Sequence, residues 1–458
     1  MQTQTTLGRR RPLATALLCA LLLPGTALAE TKKEQELEAR IAQLEAQVQA
    51  LLSAQQQQQA TLAQTQTQLD QVKVAQAAPD DGKPKIQSSP ILVAGNPGGR
   101  FSFGGFVKLD AMLTDTNAGE IADGSAGRMF YLPSAIPVGG VDEAHADIDT
   151  HAMFSRFWFA SDGEVQGHKT RAYLEFDLFG GGMSNLGNQA STNTHGVTLR
   201  QAYVTWDKWL AGQTWSNFQD VAALPDAVDF VGPTEGTTFV RQAQVRYTSG
   251  PFSVALENPQ TLVNGYRSTT RTVSDDGSLP DLTARWTTKG DWGHFSVAGI
   301  ARQLRYDTAA TSASDTGYGV SVSGKYNLGK SDDLRYMLTA GRGIGRYVAF
   351  GLGADGVLDA SAGELDGIGV LAGFVSWRHV FNPKLRGNLM FSRAQLDNDT
   401  DWTGFGVTES AQSVHANLIY SPFPKLDIGA ELIWGNREVE SGADGDLRRL
   451  HTTVKYSF

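Results

Sequence analysis

The sequence predicts an all-β transmembrane barrel of about 16 antiparallel strands, preceded by an α-helical coiled coil, and three observations carry that expectation. From Arg100 onward apolar and polar residues alternate with period two, short turns and long links follow one another between the alternating segments, and the last segment ends on Phe458. Alternation gives a strand one apolar and one polar face. Short turns on one side and long loops on the other are the pattern of an outer-membrane barrel. A terminal aromatic on an alternating strand resembles a sorting signal for barrel assembly.

The elements follow in chain order. Residues 1–29 carry Arg9, Arg10 and Arg11, an apolar run from Leu13 to Leu23, and the small-residue site Ala27-Leu28-Ala29, which reads as a secretory signal peptide. The run is too short for a membrane anchor. Cys19 lies inside it and is the one cysteine of the 458 residues, so the exported chain would hold together by burial and hydrogen bonding, without disulfides. Residues 30–74 hold a heptad seam, Leu37, Ile41, Leu44, Val48 and Leu51, which resumes in register at Leu62, Thr65, Leu69 and Val72 after polar layers at Gln55 and Gln58. Such a stripe implies self-association; a solitary helix or polar spacer remains open because the middle of the seam is glutamine. Residues 75–99, with Pro79, Pro84, Pro90 and Pro97, read as a Pro/Gly-rich linker.

Residues 100–458 form the barrel. In its first segment Phe101, Phe103, Val107, Leu109, Ala111 and Leu113 share one face, and Ser102, Lys108 and Asp110 the other. Further segments fall at 152–161, 168–179, 197–206, 209–216, 237–249, 252–258, 280–288, 292–306, 316–328, 334–345, 366–380, 384–397, 409–420, 425–435 and 447–458. Long links fall near 115–151, 180–196, 217–236, 259–279, 307–315, 346–365, 398–408 and 436–446. A soluble β-sandwich would also alternate, but not with this spacing of links. In hydrocarbon an unpaired backbone group costs several kcal/mol, so the strand at Arg100 and the strand ending at Phe458 are expected to pair. Both barrel ends then lie with the short turns on the periplasmic side, and residues such as Trp158, Trp206, Trp209, Trp292, Trp377, Tyr247, Tyr326, Tyr420 and Tyr456 suit interfacial girdles.

Sixteen strands leave a water-filled lumen. By alternation Lys108, Tyr173, Glu175, Asp177, His415, Glu431, Arg449 and Lys455 point into it, with arginine recurring across separate strands. Arg156, Arg171, Arg200, Arg246, Arg285 and Arg386 are the candidate anion-binding residues, since a guanidinium fork matches a carboxylate and a charged ring selects by sign. Arg156 and Arg200 face ambiguously. Pairing of each arginine with a nearby carboxylate, which would only keep the lumen wet, is the open alternative. The link 217–236 stands where general porins fold a loop inward, and its Asp220, Asp226, Asp229 and Glu235 are the candidate constriction residues; a solvated surface loop is the other reading.

No catalytic constellation, cofactor loop or metal-ligand spacing emerges. His145, Asp147, Asp149 and His151 alternate and could hold a metal weakly, but read better as a solvated acidic loop. A net charge of −9 without a basic stripe argues against a nucleic-acid partner.

The heptads at 37–72, Gly105-Phe106-Val107-Lys108-Leu109-Asp110, Ser155-Arg156-Phe157-Trp158-Phe159, Leu199-Arg200-Gln201-Ala202-Tyr203-Val204 with Gly212-Gln213-Thr214, and Ala255-Leu256-Glu257-Asn258-Pro259 together resemble the DcaP-like porins. That resemblance covers nearly the whole exported chain. It implies a homotrimer in outer-membrane lipid with a periplasmic coiled coil, passing dicarboxylates and other small anionic solutes through an arginine-bearing channel. A different expectation is a structural anchor that tethers the membrane to peptidoglycan through the coiled coil.

Overall fold

The structure, a computed structural model, describes residues 99–141, 145–180 and 192–458. The expected signal peptide, the coiled coil and all but the last residue of the linker lie outside the described residues. In chain order the strands are β1 (Arg100–Thr116), β2 (Asp147–His151), β3 (Arg156–Val165), β4 (His168–Gly180), β5 (Gly196–Trp206), β6 (Trp209–Trp215) and β7 (Arg241–Ser249). Next come β8 (Phe252–Glu257), β9 (Thr261–Gly265), β10 (Arg271–Ser274), β11 (Asp281–Gly290), β12 (Gly293–Asp307), β13 (Ser312–Leu328) and β14 (Asp332–Arg342). The last are β15 (Gly356–Asp359), β16 (Glu364–Gly367), β17 (Gly369–Asn382), β18 (Leu385–Asp397), β19 (Thr408–Tyr420), β20 (Leu426–Val439) and β21 (Asp444–Ser457).

Seventeen of these strands form one antiparallel sheet. Because β2 and β3 both pair with β1, against Asp110–Thr114 and Arg100–Phe106 respectively, they share one position, and the sheet closes as a barrel of sixteen. The closing seam joins β1 to β21 from Phe106↔Ser457 to Thr116↔Leu447, the pairing expected from the two ends. This seam gives β1 and β21 a partner along eleven consecutive positions, so the sheet is closed there rather than left with a free edge in lipid.

Side chains sort as the alternation predicts. Val107, Leu109, Val245, Leu256, Leu338, Leu371, Leu418, Leu432 and Val454 are exposed on the outer face, while Thr339, Ser376, Ser392, Ser413, His415 and Glu431 are buried on the inner one. An apolar outside around a polar inside inverts a soluble sandwich and requires a lipid surround. Trp206 and Trp209, Tyr247 and Phe252, Trp292 and Tyr326, Trp377 and Phe381, and Tyr420 and Phe423 flank the short turns as exposed aromatics. Trp158 departs from the girdle expectation: it turns inward and stacks on Tyr173, with centroids 6.0 Å apart.

Several boundaries move. The expected long links at 307–315 and 436–446 shrink to 308–311 and 440–443, because β12, β13, β20 and β21 keep pairing past the expected ends. Residues 237–240 belong to the preceding loop rather than to β7, and the segment expected to begin at 152 begins at Arg156. Two long links also meet in a sheet that alternation did not reveal, β10-β9-β15-β16, with β15 parallel to β9. Val263, Leu304, Ala313, Leu358 and Leu365 form a small core beneath it. Among the described residues no helix is long and apolar enough to cross a membrane.

Candidate functional site

The link between β6 and β7, residues 216–240, folds against the inner wall, and its backbone is the first cause. At Gly236 the chain lies so close to β17 that a Cβ would overlap the Gly373 backbone, so glycine is needed on this approach. The Gly236 amide then donates to Ser392 Oγ on β18 at 2.7 Å. Val228 N donates to Glu431 at 2.7 Å, and Lys108 Nζ donates to the Val228 carbonyl at 2.9 Å, so β20 and β1 hold the same loop from other sides. Arg335 Nη1 donates to the Leu224 carbonyl and Arg285 Nη1 to the Gln219 carbonyl.

Each acidic residue of this loop reaches a definite partner. Asp220 lies 2.8 Å from His294 Nε2 and accepts from Ser323 at 2.9 Å. Burial raises its carboxyl, but His294, Ser323 and Arg285 together outweigh that and leave it below the ordinary carboxylate value. Asp226 accepts from Arg386 Nε at 2.6 Å and stands 3.7 Å from Arg378. Asp229 accepts from the Tyr131 amide at 2.9 Å and lies 3.5 Å from His451. Glu235 accepts from Tyr131 Oη at 2.5 Å and from Ser413 Oγ at 2.8 Å, and burial holds its carboxyl above the usual range. These four carboxylates therefore tie the loop to the wall rather than stand free in the lumen.

Tyr131 comes from the link between β1 and β2, a second inward loop that the sequence did not single out. Its ring lies over Gly435 of β20, where a Cβ would strike the hydroxyl, and edge-on to His415 at 5.1 Å. No alternation marks such a residue; its bare signal is an aromatic pair, Phe130-Tyr131, inside a polar link. Asp147 and Asp149, the acidic members of the alternating set before β3, are taken by Arg128 at 2.8 and 3.2 Å. Among the described residues no group of three or more His, Cys, Asp or Glu is placed to hold a metal ion.

The six candidate arginines divide. Arg200 is 2% exposed, with Glu175 at 2.9 Å and Asp177 at 2.7 Å. It is the residue skipped where the β4–β5 register shifts from Glu175↔Gln201 to Phe176↔Leu199, and this bulge is why its facing could not be read from parity. Arg156 stands 3.9 Å from Asp177 and over the Phe106 ring at 5.3 Å. Arg171 pairs with Asp162 at 3.0 Å, and Arg386 with Asp226 and Asp427 at 2.6 and 3.3 Å. Arg246 and Arg285 differ: among the described residues neither makes an ion pair. Arg246 is held by Gln244 Oε1 at 2.9 Å and by the Trp215 carbonyl at 2.5 Å.

Both line a recess of about 760 Å3 on the short-turn side of the loop, together with Lys289, His294, Lys325 and Asn327. Lys289 and Lys325 share the inward parity of Arg285 and Ser323 and were legible on that ground, but were not singled out. Asp220 is the one carboxylate among the described lining residues, and His294 and Ser323 already engage it. The recess is thus cationic and open to water, with its two guanidinium groups anchored by neutral oxygens.

A family model described as DcaP outer membrane protein matches residues 22–458. Among solved structures, the outer membrane channel DcaP of Acinetobacter baumannii superposes with a TM-score of 0.67 at 24% identity, covering 79% of this chain and 98% of that one. OmpF of Salmonella typhi, solved with daunomycin, gives a TM-score of 0.50 at 12% identity over 79% of this chain and 98% of that one. No curated protein matches the chain.

Proposed function

Starting from the fact that the chain belongs to the DcaP outer membrane protein family, we propose that this outer-membrane barrel is a passive pore for small anionic solutes such as dicarboxylates. The observation that carries the reading is the recess with Arg246, Arg285, Lys289 and Lys325, four cationic side chains without an ion-pair partner among the described residues. Guanidinium groups fixed by carbonyls keep their full charge, and low-dielectric walls focus that field into the channel. Arg156, Arg171, Arg200 and Arg386 act differently. Their carboxylate partners neutralise them, and they keep the wall polar and the inner loop in place. Asp220, Asp226, Asp229 and Glu235 set the constriction by holding that loop across the lumen.

The pore works as a homotrimer, with the amino-terminal coiled coil on the periplasmic side; the heptad stripe, which needs partners to be buried, supports this. A structural tether to peptidoglycan is compatible with the same segment but leaves the cationic recess without a role.

Planar-bilayer recording of the purified full-length protein tests the proposal. Current steps with a reversal potential on the anion side in a salt gradient are expected, and Arg246→Ala with Arg285→Ala should move that potential toward zero. A channel that conducts without anion preference, or whose preference survives both substitutions, overturns the reading; absence of current steps favours the anchor.

A further inference from the structure

Five segments converge at the long-loop end of the barrel on a cavity of about 290 Å3 that lies apart from the basic recess. Arg271 on β10 and Arg437 near the end of β20 both line it, and among the described residues neither makes an ion pair. Arg271 donates to the Gly351 carbonyl at 2.6 Å, the Leu352 carbonyl at 3.2 Å and Asn264 Oδ1 at 3.4 Å. Arg437 donates to the Ser134 and Ile136 carbonyls, each at 3.1 Å, and to Thr408 Oγ1 at 3.0 Å. Carbonyl and hydroxyl oxygens fix the direction of a guanidinium without cancelling its charge. Asp355 acts on Arg271 from a distance but is itself bound by Arg302 at 3.0 Å. Two like charges therefore face one cavity whose described lining contains no carboxylate.

The rest of the lining is of two kinds. Leu352, Ile368, Leu396 and Val407, all four buried, supply an apolar floor. Thr269, Asn398 and Thr408 supply polar edges. A small cavity that is mostly apolar with a few convergent polar groups is the usual form of an organic-ligand site.

We propose that this cavity is an outer docking site for carboxylate solutes with an apolar body, reached before the constriction and held by Arg271 and Arg437. Two fixed guanidinium groups suit a dicarboxylate, whose hydrocarbon chain lies on the floor. The site captures solute on the loop side, and the recess at Arg246 and Arg285 draws it out on the other. The inference rests on the anion-pore reading above and adds where, and by which solute chemistry, uptake begins.

Adipate and its uncharged diamide, added on the long-loop side of a bilayer holding the full-length channel, provide the test. Adipate should interrupt the current in a concentration-dependent way and the diamide should not. Removing a charge partner from a solute carboxylate costs enough that Arg271→Gln with Arg437→Gln should weaken the block roughly tenfold or more. Thr269→Glu, at an exposed lining position, leaves every arginine contact intact and should weaken it too, so a folding defect of the double variant does not spare the proposal. Anion preference in plain potassium chloride, assigned above to the recess at Arg246 and Arg285, is recorded alongside in wild type and both variants. Unchanged adipate block in Thr269→Glu and in the arginine variant overturns the docking site alone; a wild-type channel without anion preference overturns the pore reading first.

Discussion

Glu235 shows how one residue can couple the seating of the inner loop to pH. Its carboxylate is fully buried and takes donors from two elements, Tyr131 of the first inward loop and Ser413 of β19. Burial raises its folded-state pKa above the ordinary 4.5, so the folded form binds the proton more tightly than the unfolded one. The sign follows from that: its contribution to stability is fully present below the unfolded value and is lost as pH rises through the folded one. Acid should therefore seat the loop more firmly, and open-channel conductance should fall as pH is lowered from 7 toward 4.5. Glu235→Gln, which keeps an oxygen acceptor without charge, should flatten that dependence. Glu235→Ala leaves the Tyr131 hydroxyl without its acceptor and should cost about 1–3 kcal/mol in thermal unfolding. A conductance whose pH profile is the same in wild type and Glu235→Gln would remove Glu235 from the mechanism.

At the scale of the element, the inner loop is held by close approach as much as by charge. Gly236→Ala would drive a methyl into the Gly373 backbone, and forcing extra volume into a packed site costs about 1–3 kcal/mol. Because the barrel is closed by other residues, the strain should be relieved by undocking the loop, with a rise in single-channel conductance while heat-modifiable mobility is retained. A variant of wild-type conductance would show that the wall yields instead. The same element marks where reading from sequence succeeded and where it stopped. Period-two alternation assigned the inward face of Lys108, Arg246, Arg285, His415 and Glu431, because lipid on one side and water on the other enforce parity along every strand. Parity failed at Arg200, where one extra residue in the ladder makes two successive side chains face inward. It was silent on loops. The position of the loop after β6 was legible, but its partners were not: Asp226 meets Arg386 across 160 residues and Glu235 meets Ser413 across 178, separations that no local pattern encodes. Arg271 and Arg437 were missed for the same reason, since one sits in a loop hairpin and the other beyond the expected end of its strand.

For the whole molecule, closure decides what can be removed. The seam from Phe106↔Ser457 to Thr116↔Leu447, and the pairing of Arg100–Phe106 with β3, are made entirely by residues from 100 onward. The closing pairs need no residue before 100, and each backbone group left unmet in lipid would cost several kcal/mol. Deleting residues 30–90 while keeping residues 1–29 and the barrel should therefore still give a heat-modifiable, current-carrying barrel with the ion selectivity of the full-length protein. On the proposed reading the heptad stripe that joins the subunits goes with the deletion, so the assembly should dissociate at lower detergent concentration or temperature than the full-length protein. Conductance and crosslinked mass, measured on the same preparation, separate the two effects. A deletion that abolishes the barrel would mean that the amino-terminal segment takes part in closure, against the continuous pairing of β1 with β21; one that leaves assembly strength untouched would mean that the barrel walls alone hold the subunits together.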